Sequence, residues 1–246
     1  MVETIKGIVE SSTAADEYKY YFRAPLTAFA RADDPLFAEI PRLVGSHHLM
    51  PGDILTGVKT VVSFFIPFSD ELVKSNKGDG PVSRDWGLSY LAANALIGRI
   101  GESLIRRLTE MGHPSAAVPA THTFDTVTLQ AGWSHRSAAF VAGLGRFGLN
   151  RMLIGPAGCA GRYGTVFTAA EIEPSARPSD DLCLYYKSGK CRACVRACPV
   201  EALTENDFDR HKCYDHLLLN SDYLGYDGDI CDVCGKCVVA GPCAIY

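Results

Sequence analysis

The chain has 246 residues, 47% of them hydrophobic, with a formal net charge of −4. That length allows one or two domains with a real core, and the acidic balance leaves no basic stripe for sequence-independent nucleic-acid binding. Acids come early at the N-terminus, there is no signal-like apolar run, and the most apolar stretch, Val58 to Phe68, is too short to span a bilayer. The expectation is a cytoplasmic protein with no membrane partner and no clear nucleic-acid surface.

Residues 1–57 show little periodicity. Asp16 to Arg23 carries Tyr18, Tyr20 and Tyr21 and reads as a helical piece packing an aromatic face on the core. Pro35, Pro41 and Pro51 argue against long elements. His47 and His48 are adjacent, so they face different directions and do not share one metal. Val58 to Ile66 is β-branched and aromatic, stopped by Pro67, and reads as a strand buried on both faces beneath helices. Asn76 to Pro81 is a loop. Ser83 to Met111 is the longest predicted helix, with Leu88, Leu91, Leu96, Ile100, Leu104 and Leu108 at three- and four-residue spacings. Ser83 is its N-cap, Gly112 and Pro114 stop it, and Gly98 and Gly101 leave room for a close neighbour.

Ala116 to Ala120 reads as a short strand, and Thr121 to Gln130 as a polar connection holding His122 and Asp125. Ser134 to Gly143 is a helix capped by Ser134. Arg151 to Ile154 and Tyr163 to Thr168 read as two strands joined by a Gly-rich turn. Glu171 to Asp181, with Pro174 and Pro178, is the linker, which divides the chain into 1–178 and 179–246. Gly143-Leu-Gly145-Arg-Phe-Gly148 matches a dinucleotide pattern in the wrong context. A helix precedes it and a strand follows, so no helix start is offered to a pyrophosphate. These glycines read instead as a helix stop and a close backbone approach.

Of ten cysteines, only Cys159 precedes Cys183. A disulfide framework needs a secretory context, and none is visible. Cys191-x-x-Cys194-x-x-x-Cys198-Pro199 is most of a two-cluster ferredoxin run. Zinc would use Cys191/Cys194 and Cys234/Cys237 but would leave Cys198 and Cys243 surplus. Two 4Fe-4S clusters need eight thiolates. In the interleaved ferredoxin arrangement, Cys183, Cys191 and Cys194 hold one cluster, closed by Cys243, and Cys213, Cys234 and Cys237 hold the other, closed by Cys198. Cys231 is the spare, or takes the place of Cys213. Lys187, Lys190, Arg192 and Arg196 around the first run either stabilise an anionic cluster, form a solvated rim, or dock an acidic electron donor.

Ala142-Gly-Leu-Gly-Arg-Phe-Gly-Leu-Asn-Arg-Met-Leu-Ile154, with Gly158 and Gly164 to Thr168, and then Cys191 to Leu203 with Cys213 and the final Cys group, resemble the epoxyqueuosine reductase family, which depends on cobalamin and iron–sulfur clusters and is related to reductive dehalogenases. The resemblance implies an α+β fold: a nitroreductase-like, corrinoid-binding domain followed by a ferredoxin-like domain with two 4Fe-4S clusters. It implies base-off cobalamin between them, with Gly143, Gly145, Gly148 and Asn150 beside the corrin. A low-potential donor such as ferredoxin or flavodoxin, and a small-molecule or corrinoid-protein substrate, follow as expected partners. The nearest match to the family's proton-donating Asp motif is Asp125-Thr126, which lacks the motif's Pro and Glu, and Leu149 stands where the family has Lys. Asp125 is the catalytic candidate on that match, with His122 and Tyr90 as alternatives and a turn-capping role as the structural reading of Asp125. The sequence given ends at Tyr246, before the helical repeats that suit tRNA in the family, so a shorter relative with another substrate is expected. The expected function is an iron–sulfur oxidoreductase relaying electrons to cobalamin. A non-catalytic electron-transfer or corrinoid-activating protein competes with it, and a flavin enzyme stands third.

Overall fold

The computed structural model describes residues 1–226 and 230–246. The chain opens with α1 (Val2–Ala14), then β1 (Leu26–Arg31), α2 (Pro35–Val44), α3 (Pro51–Ile54), β2 (Thr60–Pro67), α4 (Asp70–Ser75) and the long α5 (Arg84–Glu110). Next come β3 (Ser115–Ala117), a small hairpin of β4 (Phe124–Asp125) and β5 (Gln130–Ala131), α6 (His135–Ala142), a second small hairpin of β6 (Arg146–Phe147) and β7 (Leu153–Ile154), and β8 (Gly161–Thr168). The Cys-rich tail carries α7 (Leu184–Ser188), α8 (Ala193–Arg196), α9 (Arg210–Leu224) and α10 (Lys236–Val239).

One antiparallel sheet, in the order β1-β2-β8-β3, organises the first part. Every residue of β2 is buried, which is why its sequence is apolar apart from Thr60 and Ser63. Side chains alternate along a strand, so Val62, Phe64, Ile66 and Val166 pack beneath Leu96, Ile100 and Leu104 of α5. Val61, Phe65 and Phe167 face Ala138, Ala139 and Ala142 of α6 on the other side. Small alanines let α6 lie close to the sheet. Within α5, Gly101 faces Ala117 of β3 and Gly98 is open.

The first 57 residues are more regular than their prolines suggest. Pro35 starts α2 at a position where a missing N–H costs nothing, and the Asp34 carboxylate accepts from Leu36 N at 3.0 Å. Pro41 is tolerated inside it. The tyrosine-rich piece forms only a 3₁₀ turn over Lys19–Tyr21, with Tyr21 buried and Tyr20 62% exposed. His48 is buried while His47 is exposed. Ser134 caps α6 as expected, whereas Ser83 stands at the N-cap of α5 without a capping bond. β7 pairs with β6 rather than with β8. The turn through Gly155 and Gly158 carries the chain away from that hairpin and into the main sheet.

Residues 171–181 have no regular structure but are tied down. Ser175 N donates to Phe29 O at 2.9 Å, Phe29 N donates to Ser175 Oγ at 3.0 Å, and Arg146 pairs with Asp181 at 2.7 Å. The last residues return to the first part. Cys159 N donates to Cys243 O at 2.9 Å and Ala160 N to Ala244 O at 3.1 Å. Gly158, at φ +83°, allows this because a Cβ there would overlap the Ala244 carbonyl. No described helix is long and apolar enough to cross a membrane. Gly158→Ala is expected to cost about 1–3 kcal/mol, read as a lower thermal midpoint together with faster proteolytic removal of the C-terminal segment.

Candidate functional site

A cleft of about 740 Å³ opens between the sheet domain and the Cys-rich tail. Tyr90 and Trp86 of α5, Arg136 of α6 and Arg162 of β8 form one side. Cys213 of α9, with Cys234 and Cys237 around the start of α10, forms the other. Cys198 lies within electrostatic reach of these three, so the set expected to hold one cluster is gathered. Burial pushes the Cys213 thiol up to about 11, with help from Cys234 and Cys198, and pushes Cys234 and Cys237 upward too. Burial penalises the thiolate form of these cysteines, and a bound metal group would offset that penalty by taking the thiolates as ligands.

The other expected set lies behind. Cys183, Cys191, Cys194 and Cys243 line a single smaller cavity, together with Leu149, Asn150 and Pro242. No histidine or carboxylate shares that lining, so the four thiols are its only ionisable groups. Among the described residues, no three Cys, His, Asp or Glu side chains converge as they do around a single ion. Zinc draws four sulfurs to about 2.3 Å from one centre, whereas a cubane needs its thiolates spread over four irons.

Asn150 separates the two chambers and lines both. Its Nδ2 donates to Cys159 Sγ at 3.4 Å and its Oδ1 accepts from Met152 N at 3.1 Å. Cys159 is fully buried, and its thiol is hydrogen-bonded to Cys243, which raises the first and lowers the second. Cys231 sits apart from both sets: its Sγ donates to Gly87 O at 3.4 Å, within the core beneath α5.

On the sheet side, Tyr90 Oη donates to Asp232 Oδ1 at 2.5 Å and lies 3.1 Å from Thr121 Oγ1. His122 Nε2 lies 3.3 Å from the same Asp232 oxygen. The Arg162 guanidinium stands over the Tyr90 ring, 4.5 Å from its centre. Burial, with Arg162 opposing and Asp232 adding, holds the Tyr90 phenol up at about 12, so it keeps its proton at neutral pH. His135 anchors the same wall. Its Nε2–H donates to Pro119 O at 3.0 Å, which leaves Nδ1 to accept from Thr165 Oγ1 at 2.8 Å. That pairing requires the neutral ring, and burial pushes its pKa down to about 4.

The remaining sequence candidates fall elsewhere. Asp125 is exposed in the β4–β5 turn, where its Oδ1 accepts from Thr128 N at 2.7 Å, Thr128 Oγ1 at 2.9 Å and Val127 N at 3.1 Å. The bonds from Thr128 hold it below the usual carboxylate range, so in this arrangement it is ionised and has no proton to give. Asn150 reaches the cleft; Gly143, Gly145 and Gly148 are not among its lining residues. Gly143 ends α6 at φ +93° against the Ala176 carbonyl, Gly145 meets Ile154 O, and Gly148 meets the Ile154 side chain. What approaches these glycines closely is the chain itself. Arg136, Arg162 and Asp232 were not singled out from sequence. The available signal was one charged residue, Arg162, inside the otherwise uncharged strand 161–168, and one acid inside a Cys run.

No protein-family model matches the chain, and no curated protein matches it. Solved structures do. An epoxyqueuosine reductase from Streptococcus thermophilus aligns with a TM-score of 0.57 at 20% identity, covering 92% of this chain and 63% of that one. One from Bacillus subtilis, with its catalytic loop swung out of the active site, gives 0.62 at 18% identity, covering 98% and 65%. The chain has the fold of the epoxyqueuosine reductases. A catabolic reductive dehalogenase shares it, with a TM-score of 0.55 at 17% identity, over 86% of this chain and 28% of that one. A further epoxyqueuosine reductase, solved with an epoxyqueuosine-modified tRNA stem loop, gives 0.62 at 19% identity, covering 98% and 65%. This chain therefore spans less than two thirds of the length of these reductases.

Two measurements check the wall chemistry. His135 binds its proton more weakly when folded than the ordinary value of about 6.5, so folding stability is expected to fall as pH drops from about 6.5 toward 4. His135→Asn should flatten that limb in denaturant titrations across pH. Asp232→Asn removes the charge that helps hold the Tyr90 proton, so the phenol should ionise below about 12 in an ultraviolet difference titration.

Proposed function

We propose that this chain is an iron–sulfur reductase that passes low-potential electrons through two 4Fe-4S clusters to a cobalamin in the cleft. The observation that carries this reading is the distribution of thiols: Cys213, Cys234 and Cys237 face the cleft with Cys198 within electrostatic reach of them, and a second set of four lies behind Asn150. In this reading Cys183, Cys191, Cys194 and Cys243 hold the outer cluster of the relay, Cys198, Cys213, Cys234 and Cys237 hold the inner one, and residues 179–246 are the ferredoxin-like unit. The four thiols of the rear cavity, with no histidine or carboxylate beside them, fit such a group.

The cleft fits a large planar cofactor in volume, about 740 Å³, near the upper end of small-molecule sites. No histidine is among its lining residues, as base-off cobalamin without a protein ligand to cobalt requires. When bound, cobalamin supplies cobalt-centred two-electron reduction. The chain's own residues do the rest. Trp86 and Phe68 exclude water from the sheet side, and Tyr90, in the cleft wall, holds its phenol proton against Asp232. Asp232 orients that hydroxyl, and His122, more exposed, connects Asp232 to solvent. We assign the proton to Tyr90 rather than Asp125, whose carboxylate is engaged in its turn. The electron donor we expect is a ferredoxin or flavodoxin. The substrate we expect is a small molecule or a corrinoid protein; an RNA stem loop is the competing occupant and would meet Arg151 and Arg210 in the cleft lining. The same engagement of Asp125 favours a second reading, an electron-transfer or corrinoid-activating protein with no substrate of its own.

Anaerobically purified protein should contain about eight iron atoms per chain and change its visible spectrum on adding cobalamin. Iron without cobalamin uptake leaves the electron-transfer reading; about four irons, or zinc, removes the two-cluster relay. Cys243→Ser should lower iron to about four per chain, whereas Cys231→Ser should leave it unchanged.

A further inference from the structure

We propose that Arg136 and Arg162 form an oxyanion subsite in the cleft, which takes the carboxylate or phosphate group of a small-molecule substrate. The subsite deepens the reductase reading by naming a substrate class for the same cleft.

Both guanidinium groups lack a carboxylate. Among the described residues, neither Arg136 nor Arg162 is in a salt bridge, whereas eight other arginines are. Arg136 is exposed and Arg162 half-buried, and both line the cleft. One of its nitrogens, Nη1, donates to Arg151 O and lies beside Met152 Sδ, each at 3.1 Å. A guanidinium has five N–H donors, and no protein acceptor for Nε or Nη2 of Arg136 is found among the described residues. Arg162 is engaged by the face of Tyr90, which satisfies charge but leaves the guanidinium edge available. The acid nearest to it, Asp232, already accepts from Tyr90. The other acid of the lining, Asp207, is exposed.

The two cations also repel each other, and an anion held between them relieves that repulsion. Arg136 lies in the first turn of α6, whose dipole adds positive potential at that point. A planar fork matches the paired oxygens of a carboxylate or phosphate.

Arg136 also faces Cys213 and Cys237, so it could serve only to balance thiolate charge. That account leaves Arg162 without a role, because its electrostatic partners are Tyr90 and Asp232 and no cysteine. It also predicts a different result.

The test is isothermal calorimetry of the iron-loaded protein with inorganic phosphate and, separately, with hexanoate, in low-chloride buffer. Saturable heat is expected with at least one of them, and the stronger binder names the group. Arg136→Gln and Arg162→Gln should each weaken that binding about tenfold or more with iron content unchanged, and Arg162→Lys should weaken it less than Arg162→Gln, since it keeps charge but loses the fork. No heat with either anion overturns the subsite. So does unchanged binding in both Gln variants, with or without a shift in cluster potential for Arg136→Gln. Binding lost only on replacing Arg151 or Arg210 places the anion at the rim and also overturns it. The readout is anion heat, so protein that takes up no cobalamin still tests the subsite, and the two proposals fail separately.

Discussion

The backbone contact between the chain's last residues and the turn before β8 is the constraint on which the site depends. Cys159 and Ala160 offer their N–H groups to the carbonyls of Cys243 and Ala244, and Gly158 removes the Cβ that would block the approach. That contact sets Cys243 beside Cys183, Cys191 and Cys194. A second latch holds the other end of the same segment. Buried Asn76 donates from Nδ2 to Cys234 O at 2.7 Å and accepts from Ser83 N at 3.0 Å. Lys236 is also buried, and its Nζ donates to Asn76 O and Pro81 O, each at 3.1 Å. The loop 76–81, which looks like a mere connection in sequence, is the bracket for the cleft's Cys wall.

Regular elements were legible where burial imposes a period. The strand around Val58 to Ile66 and the helix from Ser83 showed themselves because one is covered on both faces and the other on one stripe. The start of the chain was not legible. Pro35 reads as a breaker until it is seen as the first residue of a helix, and α1 buries only Ile5, Val9 and Thr13, too few to make a strong pattern. The cysteine groups could be proposed from spacing because two intervening residues aim two sulfurs together. Which remote cysteine lies near each group is a tertiary matter: spacing alone does not say that Cys231 lies beneath α5 and Cys213 at the cleft.

The glycines of the 143–148 segment teach a different lesson. Their pattern looks like a ligand cradle, yet each meets the protein's own backbone or side chain. A missing Cβ reports close approach and says nothing about what approaches. The residues that do face the cleft, Tyr90, Arg136, Arg162 and Asp232, come from α5, α6, β8 and the Cys-rich tail, with 142 positions between Tyr90 and Asp232. No local motif can encode such a set.

The order of the thiols along the chain carries a last consequence. Cys198, Cys213, Cys234 and Cys237 all lie between Cys194 and Cys243, so one foursome is enclosed in sequence by the other. On a ribosome, where N-terminal parts fold first, the enclosed foursome emerges whole while the enclosing one still lacks its last member. In that order the sulfurs nearest the cleft are ready first, and the rear chamber closes only once Cys243 has emerged.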